Sequence, residues 1–310
     1  MATTTSITTT YAGEFSKKYI SAALLSASTI ENGGIEVMPN ILFKSVIQRV
    51  GTDAIVKDAT CAFDATSTVT LTERILQVEE FQVNLELCAK DFRSTWQGME
   101  MGLSAFDTLP KTFADFLIAH VAAKVAEKTE TNIWRGVTAN AGEFNGFVTL
   151  ATADATVIDV VGTTVTAANV IAEMGKVVDA IPATLYGKED LYIYVSQNVA
   201  RAYVRALGGF AASGLGANGT NAQGTQWFNN GSLSFDGVKI FVANGLASNY
   251  MMAAEKSNLY FGTSLLSDLN EVRVIDMSDI DGSQNVRVIM RFLAAVQYGI
   301  GSEIVLYTPA

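Results

Sequence analysis

His120 is the only histidine in a chain of 310 residues, and it follows Phe116 and Leu117 by four and three positions. On a helix that spacing puts all three on one side, so His120 reads as a packed, hydrogen-bonded residue. Nothing near it supplies the nucleophile or orienting acid of a catalytic triad. One histidine also excludes HExxH and histidine metal clusters. Cys61 and Cys88 form no CxxC and read as reduced structural thiols. The run Gly214-Leu215-Gly216-Ala217-Asn218-Gly219 spells G-x-G-x-x-G. That fingerprint works by turning a strand into a helix whose amino terminus holds a pyrophosphate. Here the segment before it reads as helix and TNAQGTQW after it shows no helical stripe, so a glycine-rich loop is the better reading. In Asp276–Gly282, aligning Asp279, Asp281 and Gly282 with a calcium loop puts Met277 and Val288 at its first and twelfth positions. Both should be oxygen ligands, which leaves an acidic turn. There is no G-x-S-x-G elbow and no phosphate-binding P-loop. The expectation is no catalytic residue, no cofactor and no metal.

Composition points the same way. Hydrophobic types make up 49%, enough for a large core and too many for wholesale disorder. Charged residues are 17%, against roughly 25% in ordinary soluble domains. The 21 basic and 31 acidic residues give a net charge of −10 and a pI near 4.7. That balance lacks the basic footprint of a nucleic-acid binder. A low charge fraction instead suggests a surface partly covered by other copies. The start, MATTTSITTTYAGEFSKKY, has no secretory pattern, and the longest uncharged stretch, Ala206 to Phe235, holds seven glycines, which a bilayer rejects.

Residues 1–14 form a threonine-rich arm, and Phe15–Leu25 reads as a short amphipathic helix. Residues 46–88 read as strand, rich in Val, Ile and Thr. Within them Phe81, Val83, Leu85 and Leu87 alternate with Gln82, Asn84 and Glu86, the period of a strand with one buried face. The intervening CAFDATSTVT suits a long exposed hairpin. The clearest helix runs from about Thr108 to Arg135, with Asp107 or Thr108 as cap, Pro110 in its first turn and Gly136 as its stop. Twenty-eight residues at 1.5 Å each make a rod of roughly 40 Å. An α/β stretch follows: a helix over Ala167–Ala180, the strand Leu191–Val195 and a helix over Ser196–Leu207. After the loop of residues 208–232, strands are expected at Gly237–Ala243, Met251–Ala254, Leu259–Gly262, Asn285–Leu293 and Ile304–Tyr307. The class is α+β.

This order of parts resembles the major capsid proteins of tailed bacteriophages, the Hong Kong 97-type fold. Leu191–Leu207 (LYIYVSQNVARAYVRAL) is similar to that family's strand-then-helix step. Leu233–Val242 (LSFDGVKIFV) resembles its L-x-G-x-P-V segment, with Val238 where proline is usual. Asn285–Phe292 and Gly299–Leu306 resemble its last strands. The resemblance implies an N-terminal arm (1–47), an extended loop (48–85), a peripheral domain with the spine helix (86–165 and 265–310) and an inserted axial domain (166–264). It implies a shell subunit that self-assembles through hexamers and pentamers into an icosahedral phage head around double-stranded DNA. Little chain precedes the arm, so a separate scaffolding protein is expected, with a portal and minor or decoration proteins as further partners. A negative subunit keeps packed DNA from adhering to the wall; no membrane partner and no sequence-specific DNA binding are expected, and the place is the virion, assembled in the host cytoplasm. Contacts with neighbouring copies are expected at Phe63, Val69 and Leu71 in the loop, at Phe15 and Tyr19, and at Phe210. The alternatives are an encapsulin-like compartment shell and, on the GLGANG run alone, a dinucleotide-dependent α/β enzyme.

Overall fold

The computed structural model describes residues 28–52, 55–59, 61, 65, 68–88, 111–208, 233–264 and 273–310. In chain order the elements begin with α1 (Ser28–Glu31), β1 (Glu36–Met38), β2 (Lys44–Thr52), β3 (Val69–Gln77) and β4 (Glu79–Cys88). The long helix α2 (Lys111–Arg135), α3 (Phe147–Ala153), β5 (Ile158–Gly162), α4 (Val170–Asp179), β6 (Leu191–Val195) and α5 (Gln197–Gly208) follow. The remainder is β7 (Leu233–Phe235), β8 (Val238–Val242), β9 (Met251–Glu255), β10 (Leu259–Thr263), β11 (Arg273–Asp276), α6 (Ser278–Asp281), β12 (Asn285–Tyr298) and β13 (Val305–Pro309). The architecture is α+β, as expected.

A six-stranded mixed sheet, ordered β5-β13-β9-β6-β8-β7, forms the middle of the molecule. Its central strands are apolar on both faces, because each face has its own cover. Along β6, Leu191, Ile193 and Val195 pack with Val170, Met174 and Val177 of α4 and Val199 and Tyr203 of α5. Tyr194 points to the opposite side, into a second core with Ile133 and Trp134 of α2 and Phe147 and Ala151 of α3. Strand β9 divides in the same way, Met251 and Ala253 to one side and Met252 and Ala254 to the other.

That second core continues into a five-stranded sheet built on β12, which pairs with β4 over ten residues, with β11 and with β10. Phe81, Val83, Leu85 and Leu87 of β4 face this core, as their alternation predicts. The buried side of α2 carries Ile118, Val121, Ala122, Val125, Ala126, Ile133 and Trp134. Buried Glu130 on the same helix accepts hydrogen bonds from the Thr29 N–H (3.0 Å), the hydroxyls of Thr29 (2.5 Å) and Ser28 (3.0 Å) and the Gly245 N–H (3.3 Å). The Trp134 Nε1–H donates to the Thr29 hydroxyl at 2.8 Å. The segment from Ser28 to Met38 is thereby strapped across α2 and the sheet, with Ile30 and Ile35 buried beneath it.

Several sequence expectations need correction. His120 is exposed, because it falls nearly opposite the centre of the Ile118–Val121–Ala122–Val125 stripe, at 100° per residue. The helix expected from Ala167 starts at Val170, since Asn169 Oδ1 accepts from the Thr166 N–H and hydroxyl and holds 166–169 as a turn. Strand β12 runs to Tyr298 rather than Leu293, its Ala294–Tyr298 portion being recruited by β10. The two sheets draw on separate parts of the chain, β5 and β13 joining the six-stranded sheet and β10 the five-stranded one. The arm, the first amphipathic helix, the caps of the long helix and the GLGANG run lie outside the described residues. Asp276–Gly282 is the short α6 turn between β11 and β12, closed by Gly282 at φ +72°.

Candidate subunit-contact surface

The described residues hold no group of three or more His, Cys, Asp and Glu able to bind a metal. Among them, no helix is long and apolar enough to cross a membrane. The surface that stands out is the antiparallel ribbon of β2 and β3, which forms a two-stranded sheet of its own. Its residues are strand formers, and its register sets Val46 opposite Ile75, Val50 opposite Leu71 and Thr52 opposite Val69. With side chains alternating every second residue, these apolar groups share one face. That face is open: Val46 is 48% exposed, Val50 62%, Val69 66%, Leu71 71% and Ile75 47%. The tip adds Ile55 and Val56, and the foot adds Leu42 and Phe43, all exposed.

Among the described residues, the opposite face of the ribbon is seated only at its foot. Leu76 is buried with Ile41, Val78 and Ala295. Gly262 makes room for it, since a Cβ there would lie 2.4 Å from a Leu76 methyl. One step outward, the Arg74 guanidinium pairs with Asp154 and stacks on the Tyr298 ring, 4.5 Å from its centroid. Asp154 also accepts from the Thr156 N–H (2.9 Å), the Thr156 hydroxyl (2.7 Å) and the Tyr298 hydroxyl (2.9 Å). Burial opposes the charge on Asp154, but these donors together outweigh it and hold the carboxyl well below its ordinary range. Burial first, and then the bond to Asp154, push the Tyr298 hydroxyl up.

A two-stranded ribbon is marginal alone in water, and a row of exposed apolar groups marks an interaction surface, here with the Gln48–Glu73 pair set between Val46–Ile75 and Val50–Leu71. Each Val, Leu or Ile fully buried by a partner would contribute about 1.5–3 kcal/mol. The structure places Val69 and Leu71 on this open face. It adds Val46, Val50 and Ile75, which the sequence reading missed; the 46–50–71–75 register was the missing signal, because it needs the strand pairing. Phe63, Phe15, Tyr19 and Phe210 lie outside the described residues.

No protein-family model matches the sequence, and no curated protein matches it either. Solved structures do. Gordonia phage Cozz matches with a TM-score of 0.60 at 12% identity, over 91% of this chain and 86% of that one. The capsid of the Myoviridae phage XM1 matches with a TM-score of 0.57 at 11% identity, over 91% and 92%. The capsid of an empty GTA particle matches with a TM-score of 0.58 at 12% identity, over 92% and 90%. The chain therefore has the fold of phage capsid proteins. At such identity the likeness is one of fold, and it extends over nearly the whole chain.

Proposed function

We propose that this chain is the major capsid protein of a tailed phage, of the Hong Kong 97 type, and that copies of it assemble into the icosahedral head that encloses double-stranded DNA. In this reading α2 is the spine of a peripheral domain, the stretch around 166–264 is the axial domain of hexamers and pentamers, and the ribbon is the extended loop. The protein resides in the virion, beside a separate scaffolding protein and a portal. Its role is structural, without an active site. The observation that carries the reading is the ribbon's open apolar face on a capsid-type fold: a subunit with this face uncovered is incomplete, and a neighbouring copy completes it. The net charge of −10 suits a wall that must not adhere to the phosphates it encloses.

The test is assembly of the purified protein, followed by light scattering and negative-stain imaging. Shells, tubes or capsomers are expected; a stable 33 kDa monomer across concentrations and salts would sink the reading. Replacing residues 59–70 with a short Gly-Ser turn is expected to leave the subunit folded and to abolish closed shells.

A further inference from the structure

We infer that the Arg74–Asp154–Tyr298 cluster is a clamp that fixes the angle at which the ribbon leaves the body, and that Arg74 is the positioning residue for the intersubunit contact. The inference rests on the capsid reading for its consequence but not for its geometry. Toward the tip, Arg74 is the last residue of β3 that is not fully exposed, and everything from Val69 to Glu73 lies open. Toward the foot the ribbon is held by buried Leu76 and by the Gln297 amide, which donates to the Ile75 carbonyl at 3.1 Å. The clamp thus sits at the fulcrum, where a small rotation is magnified along the ribbon. From Arg74 to Val69, five residues at about 3.4 Å each extend roughly 17 Å.

The chemistry is that of a stop rather than a loose tether. A guanidinium is planar and can stack on an aromatic face while pairing with a carboxylate, so both its position and its tilt are fixed. Each partner is held in turn from the body. Asp154 is tied by both groups of Thr156, and the Tyr298 hydroxyl reaches Asp154 and the Leu150 carbonyl at 3.3 Å. Gly301 leaves the space: a Cβ there would fall 2.2 Å from Thr156 Oγ1 and 2.9 Å from Asp154 Oδ2. A surface ion pair alone contributes little stability; what this arrangement supplies is direction. Neighbouring ribbons held within a narrow range of angles meet their receiving surfaces within a narrow range, which limits the curvatures a shell can take.

The experiment uses the full chain with Cys61→Ser and Cys88→Ser, spin-labelled through Thr52→Cys on the ribbon and Ile171→Cys on α4, both exposed. Distance distributions are measured on the unassembled subunit, and particle diameters on the unlabelled chain. The expected result is one narrow distance for the parent. Arg74→Ala should at least double its width, and Arg74→Lys, which keeps the charge and loses the fork, should fall between. In parallel, Arg74→Ala should turn a single particle diameter into a mixture of sizes with a nearly unchanged melting temperature. A width in Arg74→Ala equal to that of the parent overturns the clamp. Should Arg74→Ala fail to fold, Asp154→Asn, which preserves shape, carries the same test, and an unchanged width again overturns it. The distance measurement needs no shell. A parent that never assembles therefore defeats the capsid reading while the widths still judge the clamp.

Discussion

The six-stranded sheet and the β2–β3 ribbon are both made of strands rich in large apolar residues, yet they solve burial in opposite ways. In the sheet, Leu191 to Val195 are apolar at every position, and both faces are covered within the chain by α4 and α5 on one side and α2 and α3 on the other. In the ribbon, Val46, Val50, Leu71 and Ile75 line one face with nothing over it among the described residues. Among the described residues, the sheet has both faces covered and the ribbon leaves one open. Substitutions should separate stability from assembly according to which of the two regions they touch.

The largest stability loss is expected at the junction beneath the sheet. Trp134 is fully buried, packs against Phe147 and Tyr194 with ring centroids 5.6 and 5.1 Å away, and bonds to Thr29. Trp134→Ala should cost about 3–5 kcal/mol, read as a fall in the chemical-denaturation midpoint. A loss under about 1 kcal/mol would mean that the second core is not continuous through α2. Next comes Glu130→Ala, which leaves two backbone N–H groups and two hydroxyls short of an acceptor. A stranded buried donor costs about 1–3 kcal/mol. Hydrogen exchange should show the 28–38 strap opening while β6 and β9 keep their protection; unchanged protection of the strap would remove Glu130 as its anchor.

How far these regions could be read beforehand follows from the same contrast. Strand β6 was legible to the residue, because a run apolar at every position and bounded by polar turns has one solution in a two-sided core. The end of α2 was legible at Gly136, where a Cβ would collide with the Phe144 carbonyl at 2.1 Å. Helix α3 was not: Phe147-Val148-Thr149-Leu150-Ala151 is β-branched in part, and it is helical because Phe147 and Ala151, four apart, both fill the second core. The wrong side assigned to His120 came from reading it beside Phe116 and Leu117 alone; measured from Ile118, Val121, Ala122 and Val125, it falls on the far side of the helix. Only two of the five apolar residues on the ribbon's open face were legible, Val69 and Leu71; Val46, Val50 and Ile75 join it through cross-strand register, which no single segment encodes.

A smaller effect is expected from acid. Asp154 has a folded pKa below its ordinary value, so its contribution to stability is present above the unfolded carboxylate pKa of about 3.9 and is lost as pH falls through the lower folded value. The stability difference between the parent and Asp154→Asn should be at its full value above about pH 5 and shrink steadily below about pH 4. Denaturation midpoints measured across pH 2–7 check the sign, and a difference that grows on acidification would contradict it.

The smallest effect on the subunit is expected where the effect on assembly is greatest. Val50 and Leu71 face each other across the ribbon, so Val50→Glu with Leu71→Lys replaces an apolar pair by an opposite-charge pair. Directly opposed charges of opposite sign are compatible with strand pairing, and exposed substitutions of this kind usually shift stability by no more than about 0.5 kcal/mol. The subunit should melt as before, because neither side chain is buried in it. A neighbouring copy that covers this face would instead have to bury an ion pair, whose desolvation can exceed the attraction between its two members. Multiplied over every contact in a closed lattice, that penalty should stop shell formation at concentrations where the parent assembles. Sedimentation of the variant and the parent at matched concentration reads the outcome directly. Shells of normal yield from the double variant would mean that the open face of the ribbon stays in water in the particle. The contrast between a covered sheet and an open ribbon would then be a matter of exposure alone and not of assembly.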